Sequence, residues 1–243
     1  MTIKHGIVAL LLAALVPATL SAQSLDEARV RELVLETIRQ NPEIVLEAVS
    51  ILEQRQAAEK ADAQNLVLSS QKELLERDPN APVLGNPEGD VTVVEFFDYN
   101  CPYCRRAMPQ VQGLMDGDAN VRLVYREWPI LGEGSVFAAK AALAARVQGK
   151  YEEFHWAMMG MNGRAEEASV MRIAAAIGLD VDQLRQDMES AEVAEHIATS
   201  MRLSQSLGFN GTPSFVIGPS LIPGFVEQSQ LEDYVALARA EAD

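Results

Sequence analysis

The sequence predicts an α/β fold in which a block of helices interrupts a mixed domain and a separate helical segment precedes that domain. β-branched and aromatic runs at residues 91–97, 121–125 and 214–217 predict strands. Between the second and third of these runs, residues of about 135–207 carry helical periodicity. Residues 25–79 are helical in pattern with almost no strand signal, so they are expected to form a segment of their own.

The N-terminus, residues 1–22, has the pattern of a cleavable secretory signal peptide. Lys4 supplies a basic start, residues 7–16 form an uncharged apolar run, and Ser21 and Ala22 offer a small-residue cleavage point. The apolar run is shorter than the roughly 20 residues that a membrane-spanning helix needs. We therefore expect export with cleavage after Ala22, and an uncleaved membrane anchor is the alternative.

The composition is strongly acidic and excludes one class of partner. The 243 residues contain 35 Asp and Glu against 20 Lys and Arg, which gives a formal net charge of −15. Nucleic-acid binders carry a basic patch, and this chain has no such patch, so nucleic acid is not an expected partner. The hydrophobic fraction of 48% is ordinary for a globular protein.

The segment at residues 23–79 is predicted to be an oligomerisation and linker segment. Asn41 and Pro42 suit a helix start, and a broad apolar stripe follows them. The stripe contains Ile44, Val45, Ala48, Val49, Ile51 and Leu52. A lone helix would leave this stripe exposed, so association with further copies of the chain is expected. The alternative is that the stripe folds back on its own catalytic domain, which we expect at residues 80–243 after a boundary rich in Pro and Gly.

The two cysteines of the chain lie in Cys101-Pro102-Tyr103-Cys104. A disulfide across two intervening residues closes too small a loop to stabilise the fold much, so the pair suits redox chemistry better than structural cross-linking. A zinc site needs four ligands, usually including a second Cys or His pair, and the sequence offers none at ligand spacing. We therefore expect no metal site and no cofactor.

The position of Cys101 favours a reactive thiolate. It lies at a predicted helix start, where backbone N–H groups and the helix dipole stabilise negative charge and lower a thiol pKa. Cys104 lies one helical turn later and is expected to be more buried, so it would attack a mixed disulfide formed at Cys101. A strand that ends at Cys-x-x-Cys and continues into a helix indicates a thioredoxin-like site.

Three segments carry a specific resemblance to a known family. Residues 94–104 resemble the active-site strand of the DsbA-like thiol–disulfide oxidoreductases, and residues 211–215 resemble the cis-proline loop of that family. The helical block between them resembles the insertion that distinguishes this family from plain thioredoxin, so the resemblance implies a thioredoxin fold with a helical insertion. The N-terminal helices resemble those of the suppressor-of-copper-sensitivity protein C group, whose members include oligomeric disulfide isomerases.

The resemblance assigns roles to further residues. It places Glu95 beneath the cysteines as a buried acid that moves protons to or from Cys104. It implies a cis bond between Thr212 and Pro213, with Thr212 offering backbone groups to an extended substrate. Pro102 and Tyr103 complete the expected substrate-binding residues. The resemblance also implies a periplasmic homotrimer, protein substrates with cysteines, and a membrane redox partner.

Other functions remain open at this point. Thr212 before the proline resembles the isomerase branch, but a monomeric DsbA-like oxidase fits the same motifs. Glutaredoxin-like reductases also carry Cys-Pro-Tyr-Cys, and a non-enzymatic copper-binding redox protein could use the reduced pair as soft ligands. His155 and His196 are expected at helix surfaces or core edges rather than as catalytic bases.

Overall fold

The computed structural model describes residues 26–242, which fall into two compact units, 26–56 and 57–242. The expected signal peptide lies outside the described residues. The first unit contains α1 (Glu27–Gln40) and the beginning of α2 (Glu43–Ser70). The Asp26 carboxylate caps α1 by accepting the Arg29 N–H at 2.7 Å.

The helices α1 and α2 contain no buried residue. Ile38, Val67 and Leu68 are half-buried, and the other large apolar side chains of these helices are between one third and three quarters exposed, although nonpolar groups gain free energy from burial. Within residues 26–56 these side chains are Val30, Leu33, Val34, Leu35, Ile44, Val45, Leu46, Val49, Ile51 and Leu52. Soluble monomers rarely leave so many large apolar side chains uncovered, so this unit has the character of an interaction surface.

A five-stranded sheet forms the centre of the second unit, in the order β1-β3-β2-β4-β5. The strands are β1 (Val83–Gly85), β2 (Val91–Phe97), β3 (Val121–Glu127), β4 (Ser214–Ile217) and β5 (Ser220–Pro223). Strands β2 and β3 are parallel, and the other neighbours are antiparallel. The predicted strands are confirmed, and β1 is an addition that the sequence pattern did not indicate.

Eight helices of the second unit surround this sheet or form the insertion. They are α3 (Lys72–Glu76), α4 (Pro102–Gly117), α5 (Glu133–Ala145), α6 (Tyr151–Met159), α7 (Glu167–Ala176), α8 (Val181–Asp187), α9 (Ala191–Ser206) and α10 (Gln228–Ala242). The insertion between β3 and β4 thus consists of α5 to α9. Gly149, with φ of +68°, lies in the turn that separates α5 from α6.

The sheet separates two apolar cores because successive strand residues point to opposite faces. Val93 and Phe97 of β2 pack in the larger core, which includes the buried side of α4 and much of the insertion. Val94 and Phe96 pack in the smaller core with Trp128. Within residues 26–242, no helix combines the length and the apolar character required to cross a membrane.

Candidate active site

The loop that joins β2 to α4 is held in place by the Asp98 carboxylate. One oxygen of Asp98 accepts the backbone N–H groups of Ile130 and Leu131 at 2.8 and 2.9 Å, and the other accepts that of Asn100 at 2.7 Å. These charge-assisted bonds connect the end of β2 to the segment that follows β3. The loop therefore presents Cys101 at the carboxyl end of β2, with little freedom to move.

Asn100 and Arg105 fasten the same loop to the helical insertion. The Asn100 side chain accepts the Ala165 N–H at 2.8 Å and donates to the Ala165 carbonyl at 3.1 Å. The Arg105 guanidinium donates to the Tyr99 carbonyl at 3.0 and 3.1 Å and to the Gly163 carbonyl at 2.7 Å. Neither residue is singled out by the sequence, because nothing local marks a partner about 60 residues away.

Cys101 occupies the N-cap position of α4 and is 5% exposed. Its thiol donates a hydrogen bond to the Thr212 carbonyl at 3.1 Å. The pKa of Cys101 is lowered to about 6, first by a hydrogen bond from the Cys104 thiol, then by one from the Thr212 side chain and by the backbone amides of Cys104 and Tyr103, against the opposing effect of burial. Cys101 is therefore the sulfur that ionises near neutral pH.

Cys104 has the opposite electrostatic environment. It is 1% exposed, and both cysteines are free thiols in this structure. Burial raises the pKa of Cys104 well above its ordinary value, and the hydrogen bond to Cys101 and the charge of Glu95 add to the effect. At neutral pH the pair consequently holds one thiolate and one protonated thiol.

Glu95 lies within β2 and is 3% exposed. It pairs in register with Tyr125 of β3 and Phe215 of β4, so its carboxyl group lies in the larger core. Burial raises the pKa of Glu95 to about 8, and the negative charge of Cys101 contributes to the increase. A carboxyl group with this pKa can hold or release a proton close to physiological pH.

The loop before β4 approaches the cysteines from the other side. The bond between Thr212 and Pro213 is cis, and the Pro213 carbonyl accepts the Gly224 N–H at 2.9 Å. Thr212 is partly exposed beside Cys101, whereas Pro213 is buried. The structure thus brings Cys101, Cys104, Glu95 and Thr212 together at one end of the sheet.

Pro102 and Tyr103 lie on the exposed rim of this site. Pro102 is the first residue of α4, and the Tyr103 side chain is 54% exposed. The Arg106 guanidinium lies over the ring of Tyr103, 5.6 Å from its centroid, and over the ring of Phe225, 4.6 Å from its centroid. Through these cation–π contacts, Tyr103, Arg106 and Phe225 form a surface of two aromatic rings and one positive charge at the rim of the site.

The expected position of the two histidines, at helix surfaces or core edges, is wrong, because both rings are buried. His155 and His196 are 1% and 0% exposed, and burial lowers the pKa of each to about 3. His196 accepts the Glu127 N–H at 3.2 Å with one nitrogen and lies 3.0 Å from the Asn80 carbonyl with the other. Both histidines are neutral packing residues; His196 is hydrogen-bonded at both ring nitrogens, and His155 is hydrogen-bonded at Nδ1.

A buried polar cluster supports the active-site loop from behind. The hydroxyl groups of Tyr99 and Tyr151 donate to one oxygen of Glu127 at 3.1 and 2.9 Å. Because Tyr99 uses its only proton there, His155 must donate to the Tyr99 oxygen, at 3.1 Å. Burial raises the pKa of Glu127 well above its ordinary value. The cluster fixes Tyr99, which precedes Cys101 by two residues.

A dithiol at a strand-to-helix junction, opposite a cis-proline loop, defines the thioredoxin class of thiol–disulfide oxidoreductases. The chain belongs to the family described as the DSBA-like thioredoxin domain, which matches residues 92–236. Residues 26–59 match the N-terminal domain of copper resistance protein ScsC. The predicted family resemblance is confirmed for both parts of the chain.

Solved structures agree with this assignment. A thioredoxin-like oxidoreductase from Silicibacter pomeroyi DSS-3 is 73% identical, with a TM-score of 0.69, covering 69% of this chain and 97% of that one. A linker-deletion mutant of Proteus mirabilis ScsC is 26% identical, with a TM-score of 0.69, covering 92% of this chain and all of that one. The thiol-disulfide exchange protein alpha-DsbA2 of Wolbachia pipientis is 29% identical, with a TM-score of 0.68, covering 73% and 96%.

Similar sequences also occur within much longer proteins. The Na(+)/H(+) antiporter NhaA 3 of Salinispora tropica is 34% identical over 137 residues, which is 56% of this chain. The chain spans about a fifth of the length of the curated relatives it matches. The family and the solved neighbours together indicate thiol–disulfide oxidoreductase chemistry.

Proposed function

We propose that this protein is an exported disulfide isomerase that acts on cysteine-containing proteins through the Cys101–Cys104 dithiol. The observation that carries the proposal is the contrast between the two thiols. Cys101, with a pKa of about 6, touches the Thr212 carbonyl, whereas Cys104 is buried and has a raised pKa. Thiol–disulfide exchange needs one reactive thiolate, and isomerisation needs that thiolate to be regenerated after each attack.

In the proposed reaction, the Cys101 thiolate attacks a sulfur of a substrate disulfide. A mixed disulfide forms, the substrate S–S bond breaks, and the second substrate sulfur leaves as a thiolate. Attack by another substrate thiolate on the mixed disulfide then forms a new substrate disulfide and returns Cys101 as a thiolate. No net oxidation or reduction occurs in this cycle.

Cys104 can release the substrate from the mixed disulfide when the substrate does not rearrange. Formation of the mixed disulfide removes the negative charge of Cys101, which is one cause of the high pKa of Glu95. Glu95 then ionises more readily and can take the proton of Cys104. The Cys104 thiolate attacks Cys101, the Cys101–Cys104 disulfide forms, and the substrate leaves reduced.

Thr212, Pro213, Pro102 and Tyr103 are proposed to bind the substrate chain. An extended peptide beside Thr212 would place its sulfur next to Cys101, because the Thr212 carbonyl and the Cys101 sulfur are 3.1 Å apart. The exposed Tyr103 ring offers apolar contact on the other side of the cysteine. This arrangement suits unfolded segments of many sequences, as a disulfide isomerase requires.

Residues 23–79 are proposed to assemble the chain into a homotrimer, with residues 80–243 as the catalytic domain. The unburied apolar side chains of α1 and α2 support association, since exposed apolar patches of this extent mark interaction sites. The match of residues 26–59 to the ScsC N-terminal domain supports it independently. Several active sites in one assembly would hold a misfolded substrate for repeated attack.

Export to the periplasm is proposed from the signal-peptide pattern of residues 1–22. A periplasmic thioredoxin-like protein from Salmonella enterica, 28% identical with a TM-score of 0.63, supports this location. An isomerase in an oxidising compartment must be kept reduced, so we propose a membrane redox partner that returns electrons to Cys101 and Cys104.

A monomeric dithiol oxidase is the second candidate. The Wolbachia thiol-disulfide exchange protein shares the fold over 73% of this chain, which supports the reading that the catalytic domain acts alone. Both functions use the same cysteines, so the oligomeric state and the reaction catalysed must be measured together.

The decisive comparison is between the mature protein and a variant that begins at Ala57. A variant that begins at residue 80, the predicted start of the catalytic domain, is unsuitable, because it would remove Leu75 from the smaller core and Asp78 from its ion pair with the buried Arg126. We expect light scattering to report an oligomer for the mature protein and a monomer for the variant.

Activity assays on the same two proteins distinguish disulfide isomerase from dithiol oxidase activity. Both should oxidise a model dithiol peptide, whereas the variant should lose most of its ability to refold a substrate with scrambled disulfides. A monomeric mature protein that oxidises dithiols but does not refold the scrambled substrate would establish the oxidase instead.

A further inference from the structure

A cleft of about 350 Å³ lies beside the loop that carries Thr212. Its apolar walls are Trp128, Met201 and Phe209, and Gln205 and Asn210 lie at its rim. Trp128 and Phe209 are each 7% exposed and pack edge-on against Phe96, with centroid distances of 6.2 and 5.5 Å. The wall of the cleft formed by Trp128 and Phe209 is therefore continuous with the smaller core.

The cleft is close to the reactive sulfur. Asn210 precedes Thr212 by two residues, a separation of at most about 7 Å along an extended chain. The Thr212 carbonyl is 3.1 Å from the Cys101 sulfur. The backbone N–H of Trp128, which also lines the cleft, donates to the Phe97 carbonyl at 3.0 Å, and Phe97 precedes Cys101 by four residues. A peptide extended along residues 210–212 would thus pass from the cleft to Cys101.

The lining of the cleft suits a neutral apolar group. The charged Arg202 at its edge already donates to the Glu195 carboxylate and the Thr199 hydroxyl, both at 2.8 Å. Met201 is 51% exposed, and a flexible thioether side chain adapts readily to differently shaped apolar partners. Because an apolar cavity of about 150 Å³ can hold benzene, a cleft of this size has room for a phenyl or isobutyl side chain.

We propose that this cleft binds a large apolar side chain of the substrate, two residues away from the cysteine that Cys101 attacks. Side chains two residues apart in an extended peptide lie on the same face, so one reaches the sulfur while the other enters the cleft. The inference rests on the proposed function and deepens it. The protein would then prefer substrate cysteines that lie two residues from a large apolar side chain. Such side chains are buried in folded proteins and exposed in misfolded ones.

The test measures exchange rates with capped peptides that form symmetrical disulfide dimers. One peptide contains glycine around a single cysteine, and two others carry phenylalanine two positions before or two positions after that cysteine. Reduced mature protein should react about tenfold faster with one of the phenylalanine peptides than with the glycine peptide, equivalent to about 1.4 kcal/mol.

The variant Met201→Glu should abolish this preference, so that its rates with the phenylalanine and glycine peptides become equal. Val147→Glu is the matched control, because Val147 is 72% exposed and lies away from the cleft, and it should keep the preference. Equal rates with all three peptides, or a preference that survives in Met201→Glu, would overturn the inference alone. Failure to react with the glycine peptide would overturn the proposed function as well.

Discussion

At pH 7 a thiol with a pKa of about 6 is roughly nine-tenths ionised, and this describes Cys101. Its partner Cys104 belongs to the same turn of α4 but has a raised pKa, because it is buried and next to Cys101 and Glu95. The difference between two chemically identical side chains comes from solvent access and hydrogen-bond donors. This asymmetry assigns attack to Cys101 and resolution to Cys104.

Alkylation of the reduced protein tests this assignment. The labelling rate of Cys101 should rise with pH, pass its midpoint near pH 6 and level off above it, while Cys104 remains unlabelled. Cys101→Ser should abolish exchange, and Cys104→Ser should accumulate mixed disulfides with substrates. Mass spectrometry that finds Cys104 labelled first would reverse the two roles.

Replacing Glu95 should affect both rate and stability. If Glu95 takes the proton of Cys104, Glu95→Gln should slow the release of mixed disulfides by about 100-fold, because a positioned acid or base contributes this much.

The pKa of Glu95 also makes the folding stability depend on pH. The folded pKa of about 8 lies above the unfolded value, so Glu95 binds a proton more tightly in the folded protein. As the pH rises from about 4.5 to 8, the wild type should therefore lose stability relative to Glu95→Gln, because both proteins share every other titrating group.

Denaturant unfolding of the reduced proteins at pH 5 and pH 8 checks the second expectation. At pH 8 the variant should be the more stable protein by a difference on the order of a few kcal/mol, and at pH 5 the two should nearly coincide. A release rate and a pH profile identical to those of the wild type would leave Glu95 with a packing role only.

Among the larger elements, α3 and the turn after it are tied to the sheet by an ion pair. The fully buried Arg126 of β3 donates to the Asp78 carboxylate at 2.7 Å and also to the Leu74 carbonyl. Burial raises the pKa of Asp78, but Arg126 outweighs it and leaves the pKa below its ordinary value. Asp78 thus stays charged at neutral pH, and Arg126 depends on that charge.

Asp78→Asn should destabilise the protein by about 3 kcal/mol, because it leaves the buried Arg126 without its counter-ion. Asp90→Asn is the matched control, since Asp90 pairs with Arg239 at a similar distance of 2.7 Å but at the exposed surface. Solvent screens that pair, so its loss should leave the unfolding midpoint nearly unchanged. Equal effects of the two substitutions would mean that Asp78 has no special role.

The main elements of the fold are predictable because their patterns are local. The apolar run at residues 91–97 depends on neighbouring residues alone, and the structure agrees with it. Strand β1 is three residues long, and it forms because Val83 and Leu84 pair with β3, some 40 residues away. A strand that depends on such distant pairing leaves no signal in a short window of sequence.

The residues of the candidate site also fall into two groups, those that short motifs reveal and those that depend on distant contacts. Cys101, Cys104 and Thr212-Pro213 are found from short motifs, and the structure brings them together. Asn100 and Arg105 hold the loop through the insertion, and such contacts are specified only by the folded chain. The burial of His155 is missed for the same reason, since it bonds to Tyr99, 56 residues away, and packs against Tyr125, 30 residues away.

At the scale of the whole chain, the redox chemistry belongs to the second unit and the exposed apolar surface belongs largely to the first. The Silicibacter thioredoxin-like oxidoreductase structure corresponds to 69% of this chain. In the antiporter relatives a similar sequence is one part of a much longer protein. The properties of the dithiol should therefore be set within the catalytic unit, and assembly should determine how substrates use it.

The most direct test of the central claim is the equilibrium reduction potential of the Cys101–Cys104 couple in glutathione buffers. A low pKa at Cys101 stabilises the reduced form, so we expect a single two-electron transition that is more oxidising than the value of about −270 mV for thioredoxin. The variant that begins at Ala57 should give the same value. A couple that forms no disulfide in these buffers, or whose potential lies below that of thioredoxin, would contradict the account.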